Sequence, residues 1–131
     1  METFPVRTQS RNQFVDITPV VRKIVKKSHV ENGICTVFVM HTTAGITINE
    51  NADPSVKSDI LNKLEKLVPP DENYTHMEGN SDSHIKASLM GFEKTLIIHK
   101  GDLVLGTWQN IYFCEFDGPR SRNVCVQIVG S

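Results

Sequence analysis

Three of the five histidines in this chain lie in short polar runs, where imidazole, amide and carboxylate groups come close together in sequence. His41 begins the run HTTAG, and His76 and His84 are the first and last residues of the run HMEGNSDSH. Histidine in such company is typical of metal ligands and of groups that transfer protons. We predict a metal site built from His41, His76 and His84, while a hydrogen-bonded structural role stays open for each histidine alone.

Two carboxylates follow His41 and are three residues apart. Glu50 ends a predicted strand, and Asp53 precedes Pro54 at the predicted start of a helix. We predict catalytic roles for Glu50 and Asp53, in which they orient histidines or metal-bound water. Asp53 also has a simpler interpretation as a helix cap, because Asp is favoured at that position and Pro at the next one. Glu50 has no such structural explanation.

Two arginines, Arg120 and Arg122, lie two residues apart beside a Gly-Pro turn. Guanidinium groups in this arrangement suit bidentate binding of a phosphate or a carboxylate. A salt-bridged turn with Asp117 is the alternative.

Strands and amphipathic helices must position these groups. The residue patterns predict strands over residues 13–17, 33–40, 45–50, 94–99, 103–105, 109–116 and 123–129. They predict helices over residues 18–28, from the cap Asp53 to about Leu67, and from Ser81 or Asp82 to Met90. Thr18-Pro19 is predicted to be a cap followed by proline, and Gly91 is predicted to stop the third helix. The order predicts an α+β fold with a strongly curved sheet on which the helices pack.

The composition limits what this chain can be. With 131 residues, 14 Lys+Arg and 15 Asp+Glu, it is expected to form one domain over residues 1–131 with no basic surface for nucleic acid. The apolar stretches are far shorter than the roughly 20 residues of a membrane span, so we expect no membrane association and a cytoplasmic location. Three widely spaced cysteines without a CxxC pair indicate buried, reduced thiols.

Three longer stretches, which contain all of these groups, closely resemble the YjbQ-like family, whose members are often labelled secondary thiamine-phosphate synthase. They are HTTAGITINENADPSVKSDIL, HMEGNSDSHIKASLMG and LGTWQNIYFCEFDGPRSRNV. The resemblance runs from about Gln13 to Val129. The positions that match the family's motifs are His41, Asn49, Glu50, Asp53, His76, Asn80, His84, Gln109, Asp117, Arg120 and Arg122.

The resemblance implies a fold in which mixed strands form a small, strongly curved, barrel-like sheet flanked by helices. It implies a homotrimer with pockets near the subunit interfaces and a small phosphorylated metabolite as partner. It also implies a low-level ability to join a pyrimidine diphosphate to a thiazole phosphate, with release of pyrophosphate. On that interpretation the substrate-binding residues are Asn49, Asn80, Gln109, Asp117, Arg120 and Arg122, of which the two arginines also serve catalysis.

The joining reaction needs a stabilised diphosphate leaving group and a thiazole nitrogen held in line. A divalent metal on the three histidines would neutralise the diphosphate, and the two arginines would bind its remaining oxygens. Three imidazoles suit zinc, whereas magnesium is the usual partner of diphosphate, so the identity of the metal stays open. Two other functions stay open as well. One is a metal-dependent hydrolase or phosphatase of a small phosphorylated metabolite, and the other is a non-catalytic trimer that binds a metabolite or a metal.

Overall fold

The computed structural model describes residues 1–131 and contains eight strands and three helices. In chain order they are β1 (Glu2–Arg7), β2 (Gln13–Asp16), α1 (Thr18–Ser28), β3 (Asn32–Val39), β4 (Ala44–Glu50), α2 (Pro54–Leu67), α3 (Ser81–Met90), β5 (Glu93–His99), β6 (Asp102–Leu103), β7 (Gln109–Glu115) and β8 (Ser121–Gly130). None of the helices is both long enough and apolar enough to cross a membrane.

The strands form a five-stranded sheet in the order β1-β8-β3-β5-β6 and a three-stranded sheet in the order β2-β7-β4. Every pairing is antiparallel. Together with the helices they make a strongly curled half-barrel, so the predicted α+β class is confirmed. The three cysteines are buried free thiols, as predicted.

Two buried clusters fix how the helices sit on the sheets. The larger cluster has 18 buried residues, with Val21 and Val25 of α1 packed against apolar side chains of the five-stranded sheet. The smaller cluster lies where Leu64 of α2 and Ala87 of α3 meet the three-stranded sheet. Burial of these apolar faces is the main favourable contribution to folding. It also holds α3 next to the beginning of β4 and the end of β7.

Most of these elements were predicted from local sequence patterns, but β1 was missed and the start of α1 was misplaced by one residue. The strand β1 was not predicted, because Pro5 interrupts a short run whose inward residues are only Phe4 and Val6. Proline is tolerated there since β1 is an edge strand, which pairs with β8 alone. The predicted cap Thr18 is the first helical residue instead, and its hydroxyl accepts the Ile111 N–H at 2.8 Å.

The last strand begins at Ser121, two residues earlier than predicted. Arg122 therefore belongs to β8 rather than to the preceding turn, and it is only 5% exposed. An arginine inside the fold needs a buried partner, and this requirement shapes the site described next.

Candidate functional site

A polar cleft of about 350 Å³ opens where β3 ends, α3 begins and the β7–β8 connection turns back. It is lined by Met40, His41, Thr42, Thr43, Glu78, Asn80, His84, Asp117, Arg120 and Arg122. Its volume is at the lower end of the roughly 300–1,000 Å³ of small-molecule sites. Since only one of the ten lining residues is hydrophobic, the cleft suits a small and highly polar ligand.

His41 enters the cleft at the point where β3 ends, as predicted. Its Nε2 accepts the backbone N–H of Asn123 at 2.9 Å. The neutral ring must then carry its proton on Nδ1, which makes that nitrogen a donor. Partial burial, and next the positive charge of Arg122, hold the pKa of His41 below its usual value. The neutral, donating form is thus favoured near neutral pH.

The start of α3 forms the opposite side of the cleft. Asn80 precedes the first helical residue without capping the helix through its side chain, and His84 lies in the first turns. Uncapped N–H groups at a helix start favour negative charge. His76 lies edge-on to His84, with 5.2 Å between the ring centroids, but it is not among the residues that line the cleft.

A buried ion pair between Arg122 and Glu115 supports the floor of the cleft. Glu115 is fully buried and accepts hydrogen bonds from the Arg122 guanidinium, from Thr8 Oγ1 at 2.8 Å and from the Asp117 N–H at 3.0 Å. Arg122 also donates to Thr43 Oγ1 at 2.9 Å. The pair links β7, β8 and the residue that precedes β4. The charge of Arg122 is therefore neutralised within the fold rather than by a ligand.

Sequence reasoning missed Glu115. The only available signal was one carboxylate within the apolar run YFCEF, which is also the pattern of an exposed strand position. This pattern does not indicate that Glu115 is buried.

Arg120 projects from the turn between β7 and β8 and is half-exposed. Its Nε donates to the Asp117 carbonyl at 2.8 Å and its Nη2 donates to the Asp117 carboxylate at 3.1 Å. The salt-bridged turn, which was the alternative interpretation, is thus present, and Nη1 stays available to a ligand in the cleft. The turn lies tightly against the β1–β2 loop, since a Cβ on Gly118 would stand 2.2 Å from the Ser10 carbonyl oxygen.

The three predicted metal ligands do not form a metal centre within one chain. No group of three or more His, Cys, Asp or Glu side chains is placed to hold a metal ion. Nε2 of His41 is already engaged by Asn123, and His76 lies outside the cleft. The residues of a single chain therefore do not fit a three-histidine zinc or magnesium site, and we derive no step through a metal.

Comparison with known proteins identifies the family. The family model described as "UPF0047 protein YjbQ-like" matches residues 2–131. This chain belongs to the YjbQ (UPF0047) family. A UPF0047 protein of Methanocaldococcus jannaschii is 55% identical to it over 127 residues, which cover 97% of this chain and 92% of that protein. The UPF0047 protein YugU of Bacillus subtilis is 43% identical, with 99% of both chains covered.

Solved structures of YjbQ-family proteins share the fold. A crystal structure of an uncharacterised YjbQ/UPF0047 protein from Clostridium acetobutylicum matches with a TM-score of 0.97 at 55% identity. The match covers 98% of this chain and 100% of that chain. The half-barrel described here is therefore the fold of the YjbQ family.

The YjbQ motif residues fall into two separate groups in this chain. His41, Asn80, His84, Asp117, Arg120 and Arg122 line the cleft. His76 lies beside His84 at the margin of the cleft. Asn49, Glu50, Asp53 and Gln109 lie at the opposite end of the β4–β7 ladder, where Glu50 pairs with Gln109, whereas Ala44 pairs with Glu115 beside the cleft. Six residues at about 3.3 Å each place the two ends about 20 Å apart.

The residues of this far end are tied locally. Asn49 Oδ1 accepts the Glu50 N–H at 2.7 Å, and Gln109 Oε1 accepts the Gly106 N–H at 2.8 Å. Asp53 caps α2 by accepting the Ser55 N–H at 2.9 Å, as its simpler interpretation predicted. The hydrogen bonds from Ser55 to its carboxylate lower the pKa of Asp53. Beside them Trp108 is 62% exposed. The far end thus presents one exposed indole side chain that the rest of the chain does not cover.

Acid should destabilise this fold through two buried carboxylates. Burial opposes the ionisation of Glu115 and Asp82, but hydrogen bonds from Arg122 to Glu115 and from Arg11 to Asp82 outweigh it and lower both pKa values. Groups with a lowered pKa in the folded state stabilise the fold above their ordinary values, here 4.5 and 3.8. That stabilisation is lost as the pH falls through the folded pKa values.

We therefore expect the free energy of unfolding in urea to fall steadily from about pH 5 to about pH 2. The Glu115→Gln variant should show a shallower fall over the same range. A pH profile with the same slope in both proteins would mean that Glu115 does not contribute.

Proposed function

We propose that this chain binds a small phosphorylated molecule in the cleft and catalyses displacement of a diphosphate group from it. The observation that carries the proposal is the pair of donors on one side of the cleft. Asn123 fixes His41 so that Nδ1 is the donor, and Arg120 presents a free Nη1. Positioned donors of this kind stabilise the charge that develops on a departing diphosphate.

The specific reaction we propose is the thiamine-phosphate synthase reaction, which the family resemblance suggests. The thiazole nitrogen forms a bond to the methylene carbon of the pyrimidine with its lone pair. The bond from that carbon to the diphosphate oxygen breaks, and its electron pair leaves with diphosphate. No proton has to be removed from the nucleophile, so the chain needs donors and alignment rather than a strong base.

The hydrogen bond that His41 Nε2 accepts supports this displacement over a hydrolysis in which His41 is the base. A hydrolase must also activate water, through a general base or a metal-bound hydroxide. His41 is held in the donating tautomer, and the single chain assembles no three-residue metal set. Hydrolysis and simple metabolite binding remain the outcomes that the experiment below distinguishes.

We also propose that a second copy of the chain completes the site, as part of a homotrimer. Support comes from the 20 Å separation of the motif residues and from the exposed Trp108 at the far end. An apolar hollow of about 270 Å³, which contains Phe38, Met40 and Phe92, adjoins the cleft at His41. Exposed aromatic surface of this kind is typical of protein interfaces. We place the activity in the cytoplasm, where free thiols like the three found here persist.

The test is the release of diphosphate by purified protein given the pyrimidine diphosphate alone, the thiazole phosphate alone, or both. We expect release only with both, together with formation of thiamine phosphate. Release from the pyrimidine diphosphate alone at the same rate would show a hydrolase. Saturable binding without any release would show a binding protein.

In the same assay Arg120→Ala should lower the rate by about 10- to 150-fold, which corresponds to the 1.5–3 kcal/mol of a hydrogen bond to a charged group. Lys23→Ala, on the exposed side of α1, removes a cation far from the cleft and should leave the rate unchanged. An unchanged rate in Arg120→Ala would limit Arg120 to its salt bridge with Asp117.

A further inference from the structure

Two sides of the cleft belong to segments that are far apart in the chain. The α3 side is the helix start with Asn80 and His84, and the turn side is the β7–β8 connection with Asp117 and Arg120. Asn80 Nδ2 donates to Asp117 Oδ2 at 2.8 Å and so links the two sides. The same oxygen accepts Arg120 Nη2. The spacing between the two sides therefore affects where the Arg120 guanidinium points.

Arg11, in the loop between β1 and β2, binds both sides from outside the cleft. Its Nη1 and Nη2 donate to the two carboxylate oxygens of Asp82 in α3, at 3.1 and 3.0 Å. Its carbonyl oxygen accepts the N–H of Gly118 in the turn at 3.1 Å. The hydrogen bond to Asp82 raises the pKa of Arg11, and the charge of Asp117 raises it further. Arg11 is not among the residues that line the cleft. It thus connects the α3 side to the turn side without contacting a ligand between them.

Charge balance alone does not account for Arg11. Asp82 is fully buried, and Lys86, which is 1% exposed, donates to it at 3.1 Å. Lys86 is shared with Glu65, whose side chain is 38% exposed. Asp82 therefore keeps a buried cation when Arg11 is absent. What Arg11 adds is a planar fork that binds both carboxylate oxygens at once, which fixes the orientation of Asp82 and of the first turn of α3.

We propose that Arg11 is a positioning residue for the phosphate site in the cleft. It holds the α3 side against the turn side, and through the bond between Asn80 and Asp117 it keeps Arg120 oriented with Nη1 free for the ligand. A donor that is fixed before the ligand arrives binds it without paying for its own ordering. The inference rests on the proposed function, since it concerns the same site, and it adds a residue that the sequence motifs do not include.

The test is a double-mutant cycle on the binding of inorganic diphosphate, measured by calorimetric titration at neutral pH. The proteins are the wild type, Arg11→Met, Arg120→Ala and the double variant. We expect Arg11→Met to weaken binding about tenfold in the wild-type background, but by less than about twofold in the Arg120→Ala background. The difference is expected because Arg11 acts through Arg120. A merely structural role would give the same loss in both backgrounds.

Two further variants separate orientation from charge and from general stability. Arg22→Met removes an arginine of similar exposure, 39% against 37% for Arg11, from a pair with Asp102 on the far side of the fold, and should leave the affinity unchanged. Arg11→Lys keeps the charge without the fork, so it should bind diphosphate about as weakly as Arg11→Met. It replaces Arg11→Met in the cycle if that variant does not fold.

The possible results distinguish this inference from the proposed reaction. Equal affinity of the wild type and Arg11→Met, equal losses in the two backgrounds, or full affinity in Arg11→Lys would each overturn the inference and leave the phosphate site standing. The expected coupling, in a protein that releases no diphosphate from the two substrates, would uphold the inference and overturn the reaction. A wild-type protein that does not bind diphosphate would overturn both.

Discussion

Arg122→Ala should lower the free energy of unfolding by about 3–5 kcal/mol, because it leaves the carboxylate of Glu115 buried and without its cation. Glu115 is fully buried, and its only charged partner is Arg122, which is itself 6% exposed at the side chain. The remaining hydrogen bonds, from Thr8 and two backbone N–H groups, cannot neutralise the charge. The measurement is urea unfolding at neutral pH.

Arg120→Ala is the matched control for this variant. It also removes one arginine from an ion pair, but that pair is half-exposed, so the loss should stay within about 1 kcal/mol. If Arg122→Ala does not fold, the double variant Glu115→Gln/Arg122→Met still tests the prediction. It removes both charges and should be more stable than Arg122→Ala alone. A double variant less stable than the single one would contradict the buried-pair explanation.

Mixing two inactive variants should restore activity if the site is shared between copies. His41→Ala removes the His41 donor from the cleft, and Glu50→Ala alters only the far end, about 20 Å away in the same chain. In the homotrimer that we propose, with head-to-tail cyclic symmetry, each cleft would meet the far end of the next copy. Random reassembly of equal amounts then makes about one quarter of the sites intact. We expect about a quarter of the wild-type rate of diphosphate release from the refolded mixture.

The control is a mixture of His41→Ala with Arg120→Ala, whose changes both lie in the cleft and cannot complement each other. Sedimentation of each protein alone establishes whether it forms trimers. A His41→Ala and Glu50→Ala mixture no more active than the mean of its separate components would show that each site is built from one chain.

Features set by neighbouring residues could be predicted from the sequence. The cap Asp53-Pro54 does begin α2, and Gly91 does end α3, because capping depends on a few adjacent residues. His41 was placed at the end of a strand by the alternation of β3, and the structure has it there. The salt bridge between Arg120 and Asp117 joins two residues of one turn, and it was predicted as an alternative.

Features set by contacts between distant segments could not be predicted. Glu115 and Thr8 are 107 residues apart, and nothing in either run shows that they meet in the interior. Glu50 was predicted to act together with the histidines, but it lies far from them for the same reason. Glu50 is close to His41 in sequence, yet the extended strand β4 carries it about 20 Å away from the cleft. The three-histidine set failed because the direction of a side chain on a loop, as for His76, is fixed only by packing.

The most direct measurement of the central claim is a crystal structure of the chain with inorganic diphosphate. We expect diphosphate in the cleft, within hydrogen-bond distance of Arg120 Nη1 and His41 Nδ1, with the His41 Nε2 bond to Asn123 unchanged. Diphosphate bound elsewhere on the chain, or a cleft that stays free of it at saturating concentration, would contradict the assignment of this cleft as the phosphate site.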